Sequence, residues 1–367
     1  MTVEREIEGV ALPFAAGFLS VSLFSTFPYH AGCSVLMPCC LIAALFLNLL
    51  LRKKHTYRFV TGWGIALTTF LTGAFCFSND ALIQFSSADI SGPLASFANS
   101  CCVAAQKMID MLPFRHEETA ALIKALLTGE KSSIPRDITD AFRTSGASHI
   151  LALSGMHLGI IYGIVSNMLT PAGNSKEAVA GKALTTIIIC GLYTLAVGAG
   201  ASIVRSFLFI LINETARVTH RNRNLKQTLS CALVLQLALS PSSVTSAGFQ
   251  LSYAAMAGIA YIHPWLQGFW PEDGSGPNPF RKIWEMASMS ISCQITTGPL
   301  AWYYFRSFPI HFLLTNLMAI PLTGLIIPVS LLTILLFSLG ICPDMLIRFT
   351  EFLVSALTGS LTVIAGM

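Results

Sequence analysis

Residues 146–163 hold the side chains of this sequence that are best suited to chemistry. They read Gly-Ala-Ser-His-Ile-Leu-Ala-Leu-Ser-Gly-Met-His-Leu-Gly-Ile-Ile-Tyr-Gly, so two imidazoles, His149 and His157, and the hydroxyl of Ser154 stand in an otherwise apolar stretch. An ionisable side chain at membrane depth is costly and marks a functional site by default. We therefore expect this segment to carry the function of the protein.

These polar groups allow several roles, of which metal binding and catalysis are the most specific. On a continuous helix His149 and His157 would be about 12 Å apart, too far for two ligands that each bind an ion at about 2 Å. Ser154 and His157 are three residues apart, which brings side chains together on a helix and keeps an intramembrane hydrolase open as an alternative. However, no Gly-x-Ser-x-Gly elbow surrounds the serine, and the nearest upstream carboxylate, Asp140, lies outside the predicted span. We predict no catalytic residue, metal site or cofactor, and expect each ring to bond a neighbouring helix or to line a polar path.

Glycines recur every four residues through the same segment, at Gly155, Gly159 and Gly163. On a helix they form one smooth stripe against which a neighbouring backbone can pack closely. At about 100° per residue, His157 lies on a different face of that helix. The pattern predicts a packing face and a separate polar face, and it leaves homodimerisation through the glycine stripe open.

The elements that position these residues follow from the composition of the chain. Of its 367 residues, 54% are hydrophobic and 11% are charged, against about 25% charged in soluble domains. Residues 9–51, 59–79 and 227–271 carry no charge, and each stretch holds one or more windows of the ~20 apolar residues that a spanning helix needs. The predicted fold class is all-α: a polytopic, multi-pass helical bundle with about ten spans. The long apolar runs argue against an outer-membrane barrel and place the chain in the inner (cytoplasmic) membrane.

The chain divides into three predicted parts. Residues 1–78 form an N-terminal membrane segment of three helices, residues 79–147 a short helical periplasmic or interfacial segment, and residues 148–367 a second membrane block. Two basic clusters, around Arg52 and Arg221, place their loops in the cytoplasm by the positive-inside rule. The segment 79–147 is therefore predicted to lie outside, on the periplasmic side.

Several helices of the second block are predicted to be broken or re-entrant. Non-helical backbone at membrane depth is tolerated only where protein or a water-filled cavity satisfies it, and discontinuous helices are a feature of transporters. Such breaks are expected where glycine or proline interrupts an apolar run, namely at 198–202, Pro241, 298–299, Pro309, Pro321 and Pro328.

Three constellations in the second block resemble a single family. Residues 142–159 resemble the tG-x-s-H-l-l-a-i-S-G-x-H-x-g signature of the ComEC family of competence DNA-uptake channels. Residues 248–253, Gly-Phe-Gln-Leu-Ser-Tyr, match that family's G-F-Q-L-S-F motif with one aromatic residue exchanged. Residues 308–321 resemble its F-x-x-x-S-x-x-x-N-x-x-x-x-P segment, and Arg205 begins a helix between the first and second motifs. The resemblance covers roughly residues 115–335.

The resemblance implies an inner-membrane channel, not an enzyme, that translocates single-stranded DNA into the cytoplasm during natural transformation. A small-molecule or lipid transporter built on broken helices is the other non-enzymatic alternative. The channel and motif positions implied are His149, Ser154, Gly155, His157, Gly159, Arg205, Gly248, Gln250, Ser252, Asn316 and Pro321.

The departures from the family pattern imply partners. Many members carry an OB-type domain and a metallo-β-lactamase-like domain, but the eight histidines here never occur as His-x-His, and we expect residues 79–147 to be too short for the OB module. We therefore expect a separate periplasmic DNA receptor, a separate nuclease, and a cytoplasmic helicase or single-stranded-DNA-binding protein. The remaining partners are single-stranded DNA itself and the lipid bilayer.

Overall fold

The computed structural model describes residues 11, 13–17, 69, 71–73, 92–173, 175–221, 224–269, 279–306 and 310–366. Throughout these residues the regular structure is helical, without strands, which confirms the all-α class. Three of the helices are long and apolar enough to cross a membrane by length and composition. The three spans predicted within residues 1–78 lie almost wholly outside the described residues, and the total of about ten spans stays a prediction.

Thirteen α-helices are numbered here in chain order within residues 92–366, together with two 3₁₀ turns and one π-helical turn. They are α1 Pro93–Met111, α2 Glu117–Thr128, α3 Arg136–Thr144, α4 Ser148–Leu151, α5 Gly155–Met168, a 3₁₀ turn Thr170–Ala172, α6 Lys176–Ala196, α7 Ala201–Val218, α8 Leu225–Leu239, a 3₁₀ turn Pro241–Thr245, α9 Ala247–Ala257, a π-helical turn Gly258–Ile262, α10 His263–Gln267, α11 Pro279–Phe305, α12 Phe312–Ser338 and α13 Asp344–Ala365.

Two of the predicted helix breaks are confirmed. Helix α6 ends in a turn in which Gly198 and Ala199 both have positive φ, at 86° and 48°, and α7 starts at Ala201. The left-handed conformation suits glycine, so the turn forms where the sequence offers Gly-Ala-Gly. At Pro241 the chain forms the 3₁₀ turn between α8 and α9.

The breaks predicted at three other sites are wrong. Helix α11 continues through residues 298–299, and α12 continues through Pro321 and Pro328. A proline inside a helix removes one backbone hydrogen bond and kinks the helix without having to end it, and membrane helices tolerate this because neighbouring groups satisfy the freed carbonyl. Pro309 lies outside the described residues.

One break occurs where none was predicted, in the segment between His149 and His157. Helix α4 ends at Leu151, the backbone is extended at Ala152 and Ser154, and α5 begins at Gly155. The side chain of Ser154 caps the new helix. A serine followed three residues later by a side chain that can bond back to it favours a helix start over helix continuation.

The described chain forms two compact units. The first contains residues 208–250, together with residues 1–90. The second contains residues 91–207 and 251–367. Within the second unit, α12 and α13 pack against each other and against α2 and α3.

The core of the second unit includes a helix from the segment 79–147. In α2, the side chains of Leu122, Ile123, Ala125 and Leu126 are at most 1% exposed, and they pack in one cluster with apolar residues of α12 and α13. Helix α2 is thus a core element and does not lie on the surface. Its apolar run Ala-Ala-Leu-Ile-Lys-Ala-Leu-Leu leaves Lys124 to reach Asp110 of α1 at 2.7 Å.

Polar side chains link the helices of this unit. The hydroxyls of Thr333 in α12 and Thr350 in α13 are 3.0 Å apart. The carboxylate of Glu351 accepts the backbone N–H of Arg115, which fixes the link between α1 and α2 to α13. Such interhelical hydrogen bonds stabilise bundles in which apolar packing alone gives little preference for one partner.

Candidate functional site

The first turn of α5 is closed by a reciprocal interaction between Ser154 and His157. The Ser154 hydroxyl lies 3.0 Å from His157 Nδ1 and accepts the backbone N–H of Met156 at 3.3 Å. The backbone N–H of Ser154 donates to the same Nδ1 at 3.2 Å. Because Nδ1 accepts a backbone N–H, it carries no proton, so the proton of a neutral ring is on Nε2 and the serine hydroxyl is the donor. This is a capping box with histidine in the place usually taken by glutamate or glutamine.

The ring of His157 is completely buried. Its Nε2 has no hydrogen-bond partner among the described residues. A buried donor without a partner is unfavourable by about 1–3 kcal/mol, so the ring is held in place by the cap and by packing. This unpaired N–H is the most unusual polar feature of the segment.

Gly155 forms the contact between α5 and α7. A Cβ atom added to it would overlap with Oγ of Ser206 and lie 3.0 Å from Nη2 of Arg205. Gly159 and Gly163 differ, because no described atom lies within 4 Å of an added Cβ at either position. Of the three glycines, Gly155 is the one with a described helix packed against it, and the packing face at Gly159 and Gly163, with homodimerisation through it, stays a prediction.

Arg205 connects α7 to α9. Its guanidinium is buried, with 7% of the residue exposed, and Nη1 donates to the carbonyl of Ser252 at 2.9 Å. The hydroxyls of Ser202 and Ser252 are 3.1 Å apart beside it. Nη2 lies 3.5 Å from Oγ of Ser206. A charge-assisted bond from a fixed guanidinium fork is among the stronger ways to hold two helices together at this depth.

We define the polar junction as Ser154, Gly155, His157, Arg205 and Ser252. Its first and last residues are 98 positions apart in the sequence. Helices α5, α7 and α9 supply these residues. Two more residues of α7, Ser202 and Ser206, contact the junction, and the sequence analysis did not select them. Their signal was present, since both are small hydroxyl residues in the same helical turn as Arg205.

His149 lies outside the junction. It is exposed on α4, and its Nδ1 donates to the carbonyl of Gly146 at 3.1 Å. The 12 Å separation estimated for a continuous helix does not apply, because the chain breaks at residues 152–154. Among the described residues no group of three or more potential metal ligands occurs.

The other motif residues lie apart from one another. Gln250 donates through Nε2 to the carbonyl of Val244 at 2.9 Å and so fastens the 3₁₀ turn to α9. Gly248 is exposed, and no described atom lies within 4 Å of an added Cβ. Pro321 is exposed on α12.

The third motif contacts the first through a residue that the motif comparison did not select. Thr315 of α12 is fully buried, and its hydroxyl donates to the carbonyl of Ser145 at 2.7 Å. Its neighbour Asn316 has a buried Oδ1 without a hydrogen-bond partner among the described residues. The hydroxyl just ahead of the asparagine was the signal that could have identified this link.

The junction lies within the part of the chain that matches a known protein family. The competence protein family matches residues 126–367, which include every helix of the junction. The chain belongs to this family. The ComEC resemblance of the three motifs is thereby confirmed.

Two curated proteins illustrate the relationship. The chain is 22% identical over 224 residues to ComE operon protein 3 of Bacillus subtilis (strain 168), which covers 61% of this chain and 27% of that protein. It is 20% identical over 250 residues to the uncharacterized protein YcaI of Escherichia coli (strain K12), covering 66% of this chain and 32% of that protein. The chain thus spans about a third or less of the length of these relatives. No solved structure matches it.

Proposed function

We propose that this competence-family protein is a multi-pass channel of the inner membrane that passes single-stranded DNA into the cytoplasm during natural transformation. The observation that carries the proposal is the polar junction. Its residues come from two motifs and from Arg205 between them, and hydrogen bonds and close contacts join them around the buried side chains of His157 and Arg205, in a chain with membrane-capable helices. The relative in Bacillus subtilis is named ComE operon protein 3, and the matching family is the competence protein family.

The chemistry of the junction suits a wall element of such a channel. A polyanion that crosses hydrocarbon needs a hydrated path with polar groups and few fixed positive charges, since strong attraction would trap it. The charge of Arg205 is directed to the Ser252 carbonyl inside the protein. We propose that Arg205 shapes the wall by joining α7 to α9, and that it does not hold the phosphates of the strand itself.

The hydrolase alternative rests on the contact between Ser154 and His157, which brings a hydroxyl and a base together. Two features weigh against it. Both groups already serve the helix start, because Oγ accepts the N–H of Met156 and Nδ1 accepts the N–H of Ser154. In addition, Nε2 has no carboxylate partner among the described residues to orient the ring, and a triad requires one. We therefore propose a structural pair, with nuclease, receptor and helicase activities supplied by other proteins.

The test is uptake of labelled DNA by cells that carry this gene together with a complete competence system. Cells that lack the chain should accumulate labelled DNA outside the inner membrane, and the intact gene supplied in trans should restore single-stranded label in the cytoplasm. Uptake that is unchanged without the chain would favour the small-molecule or lipid transporter. The matched variants Gly155→Leu and Gly159→Leu make the test specific, because only the first places bulk against Arg205 and Ser206.

A further inference from the structure

Helix α11 is long enough to cross a membrane, although its polar side chains set it apart from the three helices that are also apolar enough. Residues 286–305 carry no charge, and at 1.5 Å per residue they extend about 30 Å, the thickness of the hydrocarbon core. Glu285 precedes them and Arg306 follows them. Trp302, Tyr303 and Phe305 are more than half exposed at the C-terminal end. Exposed aromatic residues near a charged helix end are typical of the headgroup level.

An apolar groove runs along this helix from the aromatic end toward the middle of the membrane. It has a volume of about 660 Å³ and follows α11 from Ile291 to Trp302, with Phe312 of α12 also lining it. Gln294 is the polar exception in this lining. From Ile291 to Trp302 the helix rises by eleven steps of about 1.5 Å, or about 16 Å. This length is half the hydrocarbon thickness and so the depth of one leaflet.

Arg306 supplies a positive charge at the open end of the groove. Its backbone N–H donates to the carbonyl of Trp302 at 3.0 Å, so it lies one turn beyond the last groove residue. Its side chain is exposed, and no carboxylate of the described residues forms a salt bridge with it. Arg281, at the other end of α11, is paired with Glu285 at 3.4 Å. The two ends of the helix therefore differ in uncompensated charge.

We propose that this groove binds one acyl chain of an anionic phospholipid whose phosphate contacts Arg306. The groove is apolar and one leaflet deep, as an acyl chain requires. Its open end combines an aromatic belt with a guanidinium, which pairs with phosphate oxygens through its fork. A net negative headgroup is favoured over a zwitterionic one because Arg306 has no other counter-charge among the described residues. This site is independent of the proposed function in DNA uptake.

Native mass spectrometry of the purified full chain in detergent can test the site. The chain is titrated with phosphatidylglycerol and, separately, with phosphatidylcholine of the same acyl composition. We expect one tightly bound phosphatidylglycerol, with affinity about fivefold lower in Arg306→Gln, the effect of one basic residue near a membrane surface. Ile295→Trp, which places bulk in the groove, should weaken binding of both lipids.

Two matched controls keep the result interpretable. Arg281→Gln removes a charge from the opposite end of α11, and Leu325→Trp adds the same ring at an exposed apolar position of α12, so both should bind phosphatidylglycerol as the wild type does. If Arg306→Gln does not fold, Arg306→Lys serves instead and should keep most of the preference for phosphatidylglycerol. Equal affinity for the two lipids, or unchanged binding in both Arg306→Gln and Ile295→Trp, would overturn the proposal.

Discussion

The hydroxyl of Ser154 and Nδ1 of His157 are 3.0 Å apart, and each also accepts a backbone N–H of the same helical turn. A serine and a histidine at this distance are the first requirement of a nucleophilic enzyme. Here the same atoms complete the start of α5 instead. The distinction matters because the two roles predict different outcomes for the same substitutions.

Ser154→Asn tests whether Ser154 acts as a helix cap or as a nucleophile. Asparagine is a good N-cap residue without a hydroxyl, whereas Ser154→Ala removes the cap and lowers stability by about 1 kcal/mol. We expect Ser154→Asn to support DNA uptake close to the wild-type level and Ser154→Ala to lower both the melting temperature in detergent and uptake. Loss of uptake in a stably folded Ser154→Asn protein would favour the hydrolase.

His157→Gln tests whether the capping bond of His157 is sufficient or whether its imidazole ring is also needed. Glutamine is the usual partner in a capping box and can accept the Ser154 N–H, but it lacks the buried Nε2–H. We expect His157→Ala to reduce the free energy of unfolding by about 2 kcal/mol and to abolish transformation, because it leaves a cavity and an unpaired N–H. His157→Gln should recover much of the stability and leave uptake strongly reduced. Wild-type uptake in this variant would assign the ring to packing alone.

How far the sequence predicts the structure depends on whether local or tertiary contacts decide a feature. The helix break expected at 198–202 is found between α6 and α7, because the Gly-Ala-Gly turn acts locally. The breaks predicted at the prolines of α12 are wrong because they, too, rest on a local rule. A local rule ends a helix at proline, whereas the packing of α12 against α13 keeps the helix continuous.

The site was predicted in its residues more than in its geometry. The motifs selected Ser154, His157, Arg205 and Ser252, but which of their atoms would meet depends on how α7 and α9 pack, and periodicity carries no information on that. The glycine stripe is the clearest example. Three equivalent glycines in the sequence have different surroundings in the structure, because only Gly155 faces α7.

Gly155→Ala and Gly159→Ala are a matched pair that tests this difference. The first added methyl overlaps with Ser206, so we expect a loss of about 1–3 kcal/mol from overpacking. The second enters open space and should leave stability unchanged or raise it, by up to about 1 kcal/mol from helix propensity. Melting temperatures in one detergent would measure both. Equal destabilisation would mean that the α5 to α7 contact extends beyond Gly155.

Arg205→Met tests whether the guanidinium joins two helices. Methionine keeps the volume but cannot donate to the Ser252 carbonyl, so we expect a loss of about 1.5–3 kcal/mol, the range for a hydrogen bond to a charged group. Arg281→Met is the control, since an exposed ion pair contributes about 0.5 kcal/mol or less. If Arg205→Met melts like the wild type yet fails in DNA uptake, the guanidinium acts on the passing strand and not on the wall.

The last prediction concerns what the chain does alone. Because the charge of Arg205 is directed to the Ser252 carbonyl, the purified protein should bind single-stranded DNA weakly, with affinity that falls steeply with salt and with little sequence preference. It should not degrade DNA with any divalent metal, because the hydroxyl of Ser154 and Nδ1 of His157 both serve the start of α5. Gel-shift and nuclease assays measure both properties, and the double variant Ser154→Ala/His157→Ala controls for contaminating nucleases. Metal-dependent cleavage that is present in the wild type and absent from that variant would overturn the interpretation of this pair as a helix cap.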